Sequence, residues 1–256
     1  MDNKQKNTKL IIVNILILLV VLILVFVGYK ICRVFSEDNR AMQEYTELQK
    51  IAIDDGGTGE NNKASITVDF AKLSKINSEI VGWIHFEEPS IINYPIVQGK
   101  DNEKYLSTTF EGNQNGAGCI YMDADNRADF SDKNTFVYGH NRRNGQMFGS
   151  LVKYKDAEYY RNHPYFDIYT PDGYKTRYQI FSVAVVGSSS DSYKRVYVSE
   201  QEYSNYIDMI KKLSLYDTGV EVTEDSHIVS LSTCTNVRIE ERLVIHGVRI
   251  NQEQTK

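Results

Sequence analysis

Cysteine is scarce in this chain: Cys32, Cys119 and Cys234 are the only three in 256 residues, an odd number at wide spacing. That arithmetic excludes a disulfide-stapled exported module and leaves at least one thiol free. A structural zinc site is excluded as well. It would need short-spaced pairs such as C-x-x-C or H-x-x-x-H, and His85, His140, His163, His227 and His246 form none with each other or with the cysteines. An excess of positive charge is also missing, since 29 Lys and Arg stand against 34 Asp and Glu for a net charge of −5 with the signs interspersed. Such a chain offers no basic field to a phosphate backbone, so nucleic acid is not an expected partner. Internal repeats and low-complexity tracts are lacking too.

What the chain does have, near its N-terminus, is a long apolar run. Residues 10–27, LIIVNILILLVVLILVFV, carry no charge and one polar residue, Asn14. As a helix they would reach roughly 27 Å, about one hydrocarbon thickness. The following residues, GYKICR, offer no A-x-A-like cleavage site, so the run reads as an uncleaved signal-anchor. Lys4, Lys6 and Lys9 precede it and Lys30 and Arg33 follow it, a slight bias towards a cytoplasmic N-terminus. No second apolar span follows. The expected organisation is a cytoplasmic N-terminus (1–9), a transmembrane anchor (10–29), a juxtamembrane helix and linker (30–63) and an extracytoplasmic domain (64–256).

Beyond the anchor, residues 36–54 place Met42, Tyr45, Leu48 and Ile51 three apart, the apolar stripe of a helix. The stretch DDGGTGENNK (54–63) has three glycines and nothing apolar, and reads as a flexible connection before a folded domain that starts near Ala64. Asp69 then caps a short helix bearing Phe70, Leu73 and Ile76. Eight β-branched or aromatic runs follow, bounded by turn residues: VGWIHF (81–86), IINYPIV (91–97), GCIYMD (118–123), NTFVYGH (134–140), YFDIYT (165–170), TRYQIFSVAVVG (176–187), SHIVSLSTC (226–234) and RLVIHGVRI (242–250). Eight strands imply a closed barrel or a sandwich. One helix interrupts them, signalled by the Ser199-x-x-Glu202 capping box and by Tyr203, Tyr206, Ile207, Ile210 and Leu213 at helical spacing. Its simplest role is to cover part of the barrel.

A catalytic cysteine needs a neighbour that takes its proton or stabilises its thiolate. The alternation in SLSTCTN stops at Cys234, which places that thiol at a strand end where a substrate can reach it. Cys119 lies within a strand-like run beside Ile120 and reads as a small buried hydrophobe, and Cys32 adjoins the membrane boundary. Five histidines compete as the base. His140 closes a strand whose Phe136 and Tyr138 share its face; His246 sits mid-strand, as a wall residue would; His163 precedes Pro164; His85 lies in a strand beside Trp83; His227 opens the strand of Cys234. Spacing alone leaves that choice open. An acyl intermediate also requires donors for its oxyanion, and Arg242, at the start of the strand after Cys234, or Arg238, in the intervening loop, has the fixed donor fork for it.

These residues resemble a known family. Ser230-Leu231-Ser232-Thr233-Cys234 is similar to the T-L-x-T-C signature of sortases, and Tyr138-Gly139-His140-Asn141 to their histidine motif. Arg242, eight residues after the cysteine and followed by LVIHG, resembles the sortase arginine. The likeness runs from about Val68 to Ile250, with Ser230 standing where many members have Thr and with Thr235 and Asn236 where some carry an acid. The helix at 199–213, the helices before the barrel, VGWIHF and MDADNRADFSDKNTFVYGHN resemble class B in particular.

The resemblance implies a mostly β fold: a closed eight-stranded sortase-type β-barrel with N-terminal helices and one helix in the connection before the catalytic-cysteine strand. It implies a membrane-anchored cysteine transpeptidase of the Gram-positive surface, which cleaves a C-terminal sorting signal after Thr and passes the protein to a cell-wall precursor or pilin amine, with no metal or cofactor. It assigns Cys234 as nucleophile, His140 as proton carrier and Arg242 as oxyanion holder. Ser232, Thr233, Thr235 and Tyr138 are expected against the substrate, with the Thr235 N–H as a further oxyanion donor. Two other readings fit the residues: a cysteine peptidase that only hydrolyses, and a catalytically idle adaptor for wall proteins.

Overall fold

A computed structural model describes residues 3–55, 66–87 and 90–255. The chain divides into two units, Met1–Ala41 and Met42–Lys256. The connection expected over 54–63 and the domain start expected near Ala64 fall mainly outside the described residues; Asp54 and Asp55 belong to a short strand, β1 (Ile53–Asp55), paired antiparallel with β2 (Ile66–Val68).

The apolar run and the expected 36–54 helix are parts of one α-helix, α1 (Asn3–Ala52). No proline interrupts the stretch between them, and a glycine such as Gly28 costs a helix only about 1 kcal/mol. In the first unit the apolar side chains from Leu10 to Val27 are exposed, and an 18-residue window reaches a mean hydropathy of 3.6. In the second unit Tyr45, Leu48 and Ala52 are buried, whereas Met42 and Ile51 are exposed. The expected spacing of three drifts because each step of three residues falls about 60° short of a full turn. A buried face therefore follows spacings of three and four. Tyr45 donates to the Gly118 carbonyl (2.6 Å) and meets Tyr94 edge-on, and Gln49 donates to the Asn93 carbonyl (2.7 Å).

The short helix α2 (Phe70–Ile76) is capped by Asp69, whose carboxylate accepts from the Lys72 N–H. Its buried residue is Leu73; Ile76 stays exposed. The eight expected strands all form, most of them a residue or two shorter or shifted at their ends: β3 (Ile80–His85), β4 (Asn93–Val97), β5 (Ile120–Met122), β6 (Asn134–Tyr138), β7 (Tyr165–Tyr169), β8 (Tyr174–Gly187), β9 (Ile228–Cys234) and β10 (Glu241–Gln254). They close into a barrel in the order β10-β8-β7-β3-β4-β5-β6-β9, which decides for the barrel over the sandwich.

Two features of this topology set the site. Strands β6 and β9 run parallel, with Tyr138 opposite Ser232, so both end at the same rim. Strands β9 and β10 run antiparallel, with Arg242 opposite Cys234, so β10 begins where β9 ends. The helix α3 (Ala157–Asn162) precedes β7, and α4 (Glu200–Leu213) lies in the connection between β8 and β9. Ser199 caps α4 by accepting from the Glu202 N–H, while the Glu202 carboxylate accepts from the Val198 N–H. Tyr203, Tyr206, Ile207 and Ile210 bury one face of α4 with Phe181, Ile228 and Val248 of the barrel; Leu213 stays exposed. Covering the wall is thus the helix's first role.

Candidate active site

The rim where β6, β9 and β10 meet opens on a cavity of about 410 Å³ whose lining includes His140, Cys234 and Arg242. Parallel pairing carries β6 and β9 to the same level, so the residue two beyond Tyr138 and the residue two beyond Ser232 reach the mouth together. The loop after β6 is then tied down. The Gly139 N–H donates to the Ser232 carbonyl (3.2 Å), the Thr233 hydroxyl to the Gly139 carbonyl (2.7 Å), and the Asn141 amide to the Cys234 carbonyl (2.8 Å). Gly139 must be glycine here, because a Cβ would lie 2.4 Å from Ile120 Cδ1 and 2.8 Å from the Phe148 ring. Asn236 adopts φ 60°, a left-handed conformation that asparagine tolerates, and its amide donates to the Asn141 carbonyl (2.8 Å).

Cys234 is half-buried and carries no disulfide. Cys119 is buried; loss of solvent pushes its thiol up to about 12, which keeps it protonated and inert. His140 Nε2 lies 2.7 Å from the Leu106 carbonyl. A carbonyl only accepts, so Nε2 carries the hydrogen and Nδ1 is the nitrogen available for proton exchange. Arg242 donates through Nη1 to the Ile239 (2.6 Å) and Glu241 (3.1 Å) carbonyls, which fixes the guanidinium at the rim. Arg238 is exposed in the hairpin loop and does not line the cavity.

Among the described residues, His140 is the only histidine in the cavity lining. His246 is fully buried in the wall, where burial lowers its pKa to about 3. His85 is likewise lowered by burial, His163 packs on the Tyr159 ring, and His227 meets the Asp132 carbonyl at 3.0 Å.

The wall of the cavity is aromatic and polar. Tyr121, Tyr138 and Tyr193 line it, and burial raises all three phenols above their ordinary value, so they stay protonated. Tyr138 donates to Asp123 (2.8 Å), a carboxylate with no exposed surface that also receives Arg195 Nη1 at 2.6 Å. Arg195 Nη2 reaches Asp125 at 2.9 Å. The Tyr193 hydroxyl meets Ser232 Oγ at 2.8 Å.

Of the residues expected against a substrate, Tyr138, Ser232 and Thr233 line the cavity. Thr235 does not: it lines a separate groove, and its N–H donates to the Glu241 carbonyl (3.2 Å) to close the β9–β10 hairpin. That N–H is therefore engaged in the hairpin. Sequence reasoning missed Asp123, Arg195, Tyr193, Asn102 and Leu106. Asp123 had one local signal, an acid closing a strand run; the others lie in loops or short 3-10 turns that only folding brings to the rim.

A family model described as "Sortase domain" matches residues 87–250. The chain is similar to Sortase B of Staphylococcus aureus, at 34% identity over 90% of this chain and 92% of that protein. Similarity to Sortase B of Listeria monocytogenes is 31%, over 91% of this chain and 94% of the relative. The crystal structure of sortase B from Bacillus anthracis in complex with AAEK1 superposes with a TM-score of 0.73 at 32% identity, over 85% of this chain and all of that one.

Proposed function

The chain belongs to the sortase family of cysteine transpeptidases, and from that premise we propose that Cys234, His140 and Arg242 carry out an acyl transfer at the rim cavity. The observation that carries this reading is the junction of β6, β9 and β10, which delivers a half-buried thiol, an imidazole and a guanidinium to one cavity.

In the proposed cycle the Cys234 thiolate attacks the carbonyl of the Thr in a sorting signal. His140 gives its proton to the departing amine, leaving a thioester on Sγ, and later takes a proton from the incoming amine. The oxyanion that develops in each half lies within reach of the Arg242 donors. The rings of Tyr138, Tyr121 and Tyr193 offer the donor peptide apolar surface, and Ser232 and Thr233 form the adjoining edge.

The proposed arrangement in the cell is a cytoplasmic N-terminus (1–9), a transmembrane anchor (10–29), a juxtamembrane segment (30–63) and an extracytoplasmic catalytic domain (64–256). It is supported by the exposed apolar side chains of α1 and by the absence of a second such helix among the described residues. The acceptor is an amine of the cell wall or of a pilin.

The test is product analysis with peptides headed Asn-Pro, Leu-Pro or Ser-Pro and carrying the scissile Thr, with and without an added amine. An amine-linked product that disappears in Cys234→Ala supports transfer. Hydrolysis alone at saturating amine would establish a peptidase, and cleavage unchanged by Cys234→Ala would remove Cys234 from the chemistry.

A further inference from the structure

The imidazole of His140 is tethered through a main-chain group. Its Nε2–H donates to the Leu106 carbonyl (2.7 Å), so whatever fixes that carbonyl also fixes where Nδ1 points. The Leu106 side chain does not, because it is 43% exposed. The carbonyl belongs to a loop, residues 105–119, that leaves a short turn at Lys104–Leu106 and doubles back to β5. Along it the Asn115 N–H donates to the Ser107 carbonyl (2.9 Å), the Thr109 N–H to the Asn113 carbonyl (2.9 Å) and the Cys119 N–H to the Tyr105 carbonyl (3.0 Å).

The two arms of this loop have different supports. On the outgoing arm the Tyr105 hydroxyl donates to Glu79, while the Asn77 amide donates to that hydroxyl (2.9 Å) and to the Phe110 carbonyl (2.9 Å). The tip and the return arm rest on α1, in the part that belongs to the second unit. There the Glu44 carboxylate accepts from the Thr109 hydroxyl (2.9 Å), the Glu111 N–H (3.1 Å) and the Asn113 amide (3.1 Å). Tyr45, the next residue, is buried and donates to the Gly118 carbonyl (2.6 Å). Gly118 in turn is pressed against the tether itself: it takes φ 59°, and a Cβ on it would lie 2.4 Å from the Tyr105 carbonyl oxygen and 3.0 Å from that of Leu106. Tyr45 thus sets Gly118, and Gly118 backs the carbonyl that holds His140.

We propose that Glu44 and Tyr45 are positioning residues for the transfer: the end of α1 clamps the 105–119 loop and, through the Leu106 carbonyl, holds the imidazole of His140 in its working orientation. The proposal rests on the acyl-transfer reading above, which gives His140 its role as proton carrier. Neither side chain lines the cavity, so both act at one remove from the reacting atoms. A carboxylate is the stronger clamp for such a loop, since hydrogen bonds to an ionised acceptor are about twice as strong as neutral ones. The effect on rate is large for a small movement, because a displacement of about 1 Å in a catalytic group can cost on the order of 100-fold. The segment that joins the apolar run to the domain is in this way part of the working site as well as its tether.

The experiment uses the full chain in non-ionic detergent, with whichever donor peptide is cleaved, and compares Tyr45→Phe, Glu44→Gln and Glu44→Ala with Gln49→Ala. The last removes the same helix's bond to the Asn93 carbonyl and leaves the loop untouched, so it reports looser docking of α1 alone. Tyr45→Phe keeps the buried ring and deletes only the donor to Gly118. In Tyr45→Phe and Glu44→Ala kcat should fall about ten-fold, and less in Glu44→Gln, which keeps one acceptor oxygen. The donor KM should move less than about three-fold, because Tyr138, Ser232 and Thr233 line the cavity from strands the clamp does not touch. A second readout is the ring itself. In chain carrying isotope-labelled histidine, the Nε2–H resonance of His140, assigned by its absence in His140→Gln, should shift and exchange faster with water in Tyr45→Phe and Glu44→Ala, and match the unaltered protein in Gln49→Ala. An unchanged kcat in Tyr45→Phe and Glu44→Ala, a loss of kcat without a change in that resonance, or losses that Gln49→Ala reproduces would each overturn the proposal and leave acyl transfer standing. Absence of any Cys234-dependent cleavage would overturn the transfer reading, and this proposal with it.

Discussion

The pH dependence of stability follows from one buried ring. His246 has no exposed surface, and its surroundings determine where its hydrogen sits. Ser230 donates its only hydroxyl hydrogen to Asn134 Oδ1 (2.7 Å), so its oxygen must accept from His246 Nδ1, also at 2.7 Å. The relay continues, with Asn134 Nδ2 donating to the Tyr206 hydroxyl (2.8 Å) and that hydroxyl donating to the Ser192 carbonyl (2.7 Å). The relay fixes the Nδ1 hydrogen of His246, and Nε2 is left as a bare lone pair without a partner. Protonating it would bury a cation with nothing to accept its new N–H, and burial accordingly lowers the ring from an ordinary 6.5 to about 3.

The unfolded chain takes up a proton here from about pH 6.5 downward and the folded chain only near 3. The contribution to stability is therefore complete above about 6.5 and is lost as the pH falls through that window. Lowering the pH from 7.5 to 5.0 should remove about 2 kcal/mol through this residue alone, out of about 5 kcal/mol over the whole window. Replacing the ring by His246→Gln keeps a donor for Ser230 and removes the titration. The variant should be less stable at pH 7.5, by about 1–3 kcal/mol, because its carboxamide oxygen is left unpaired. Between pH 7.5 and 5.0, however, it should lose about 2 kcal/mol less than the unaltered protein. Urea titrations read by Trp83, the single tryptophan and wholly buried in the barrel, would measure both. Carboxylates and other groups titrate alike in the two proteins and cancel in the comparison. An equal loss in both would refute the neutral, proton-excluding assignment of His246.

Three further outcomes are expected. Gly139→Ala forces a Cβ to 2.4 Å from Ile120 Cδ1 and 2.8 Å from Phe148, next to His140; thermal melts should show a loss of about 1–3 kcal/mol, and transfer should fall at least about ten-fold. Tyr206→Phe orphans the buried Asn134 amide and frees the Ser192 carbonyl, so stability should drop by about 1–3 kcal/mol. Because Tyr193, which faces Ser232, follows Ser192, the donor KM should rise more than kcat falls. Iodoacetamide at pH 8 should modify Cys234 and the exposed Cys32 while sparing Cys119, whose buried thiol is pushed up to about 12; peptide mass mapping that finds Cys119 alkylated at the rate of Cys234 would contradict its burial.

Much of this molecule was legible locally. The β-branched runs that become β3 to β10, the Asp69 and Ser199 caps and the strand-end position of Cys234 depend on alternation, turn residues and capping groups within a few positions of each other. The face of α1 was misplaced because a spacing of three is not the helical period, so Tyr45 and Leu48 are buried and Met42 and Ile51 are not. Local patterns also offered five histidines and no physical ground for choosing between them. The parallel register of β6 and β9 supplies that ground: it lifts His140 to the cavity beside Cys234, while antiparallel pairing sinks His246 into the wall opposite Ser230. The same closure brings Arg195 to Asp123 and Tyr193 to Ser232, and turns Thr235, next in sequence to Cys234, away into a separate groove. Strands and reactive residue types follow from neighbours along the chain. Which of them share a rim, a wall or a groove is decided by pairings between segments tens of residues apart, whose energy exists only once the barrel closes.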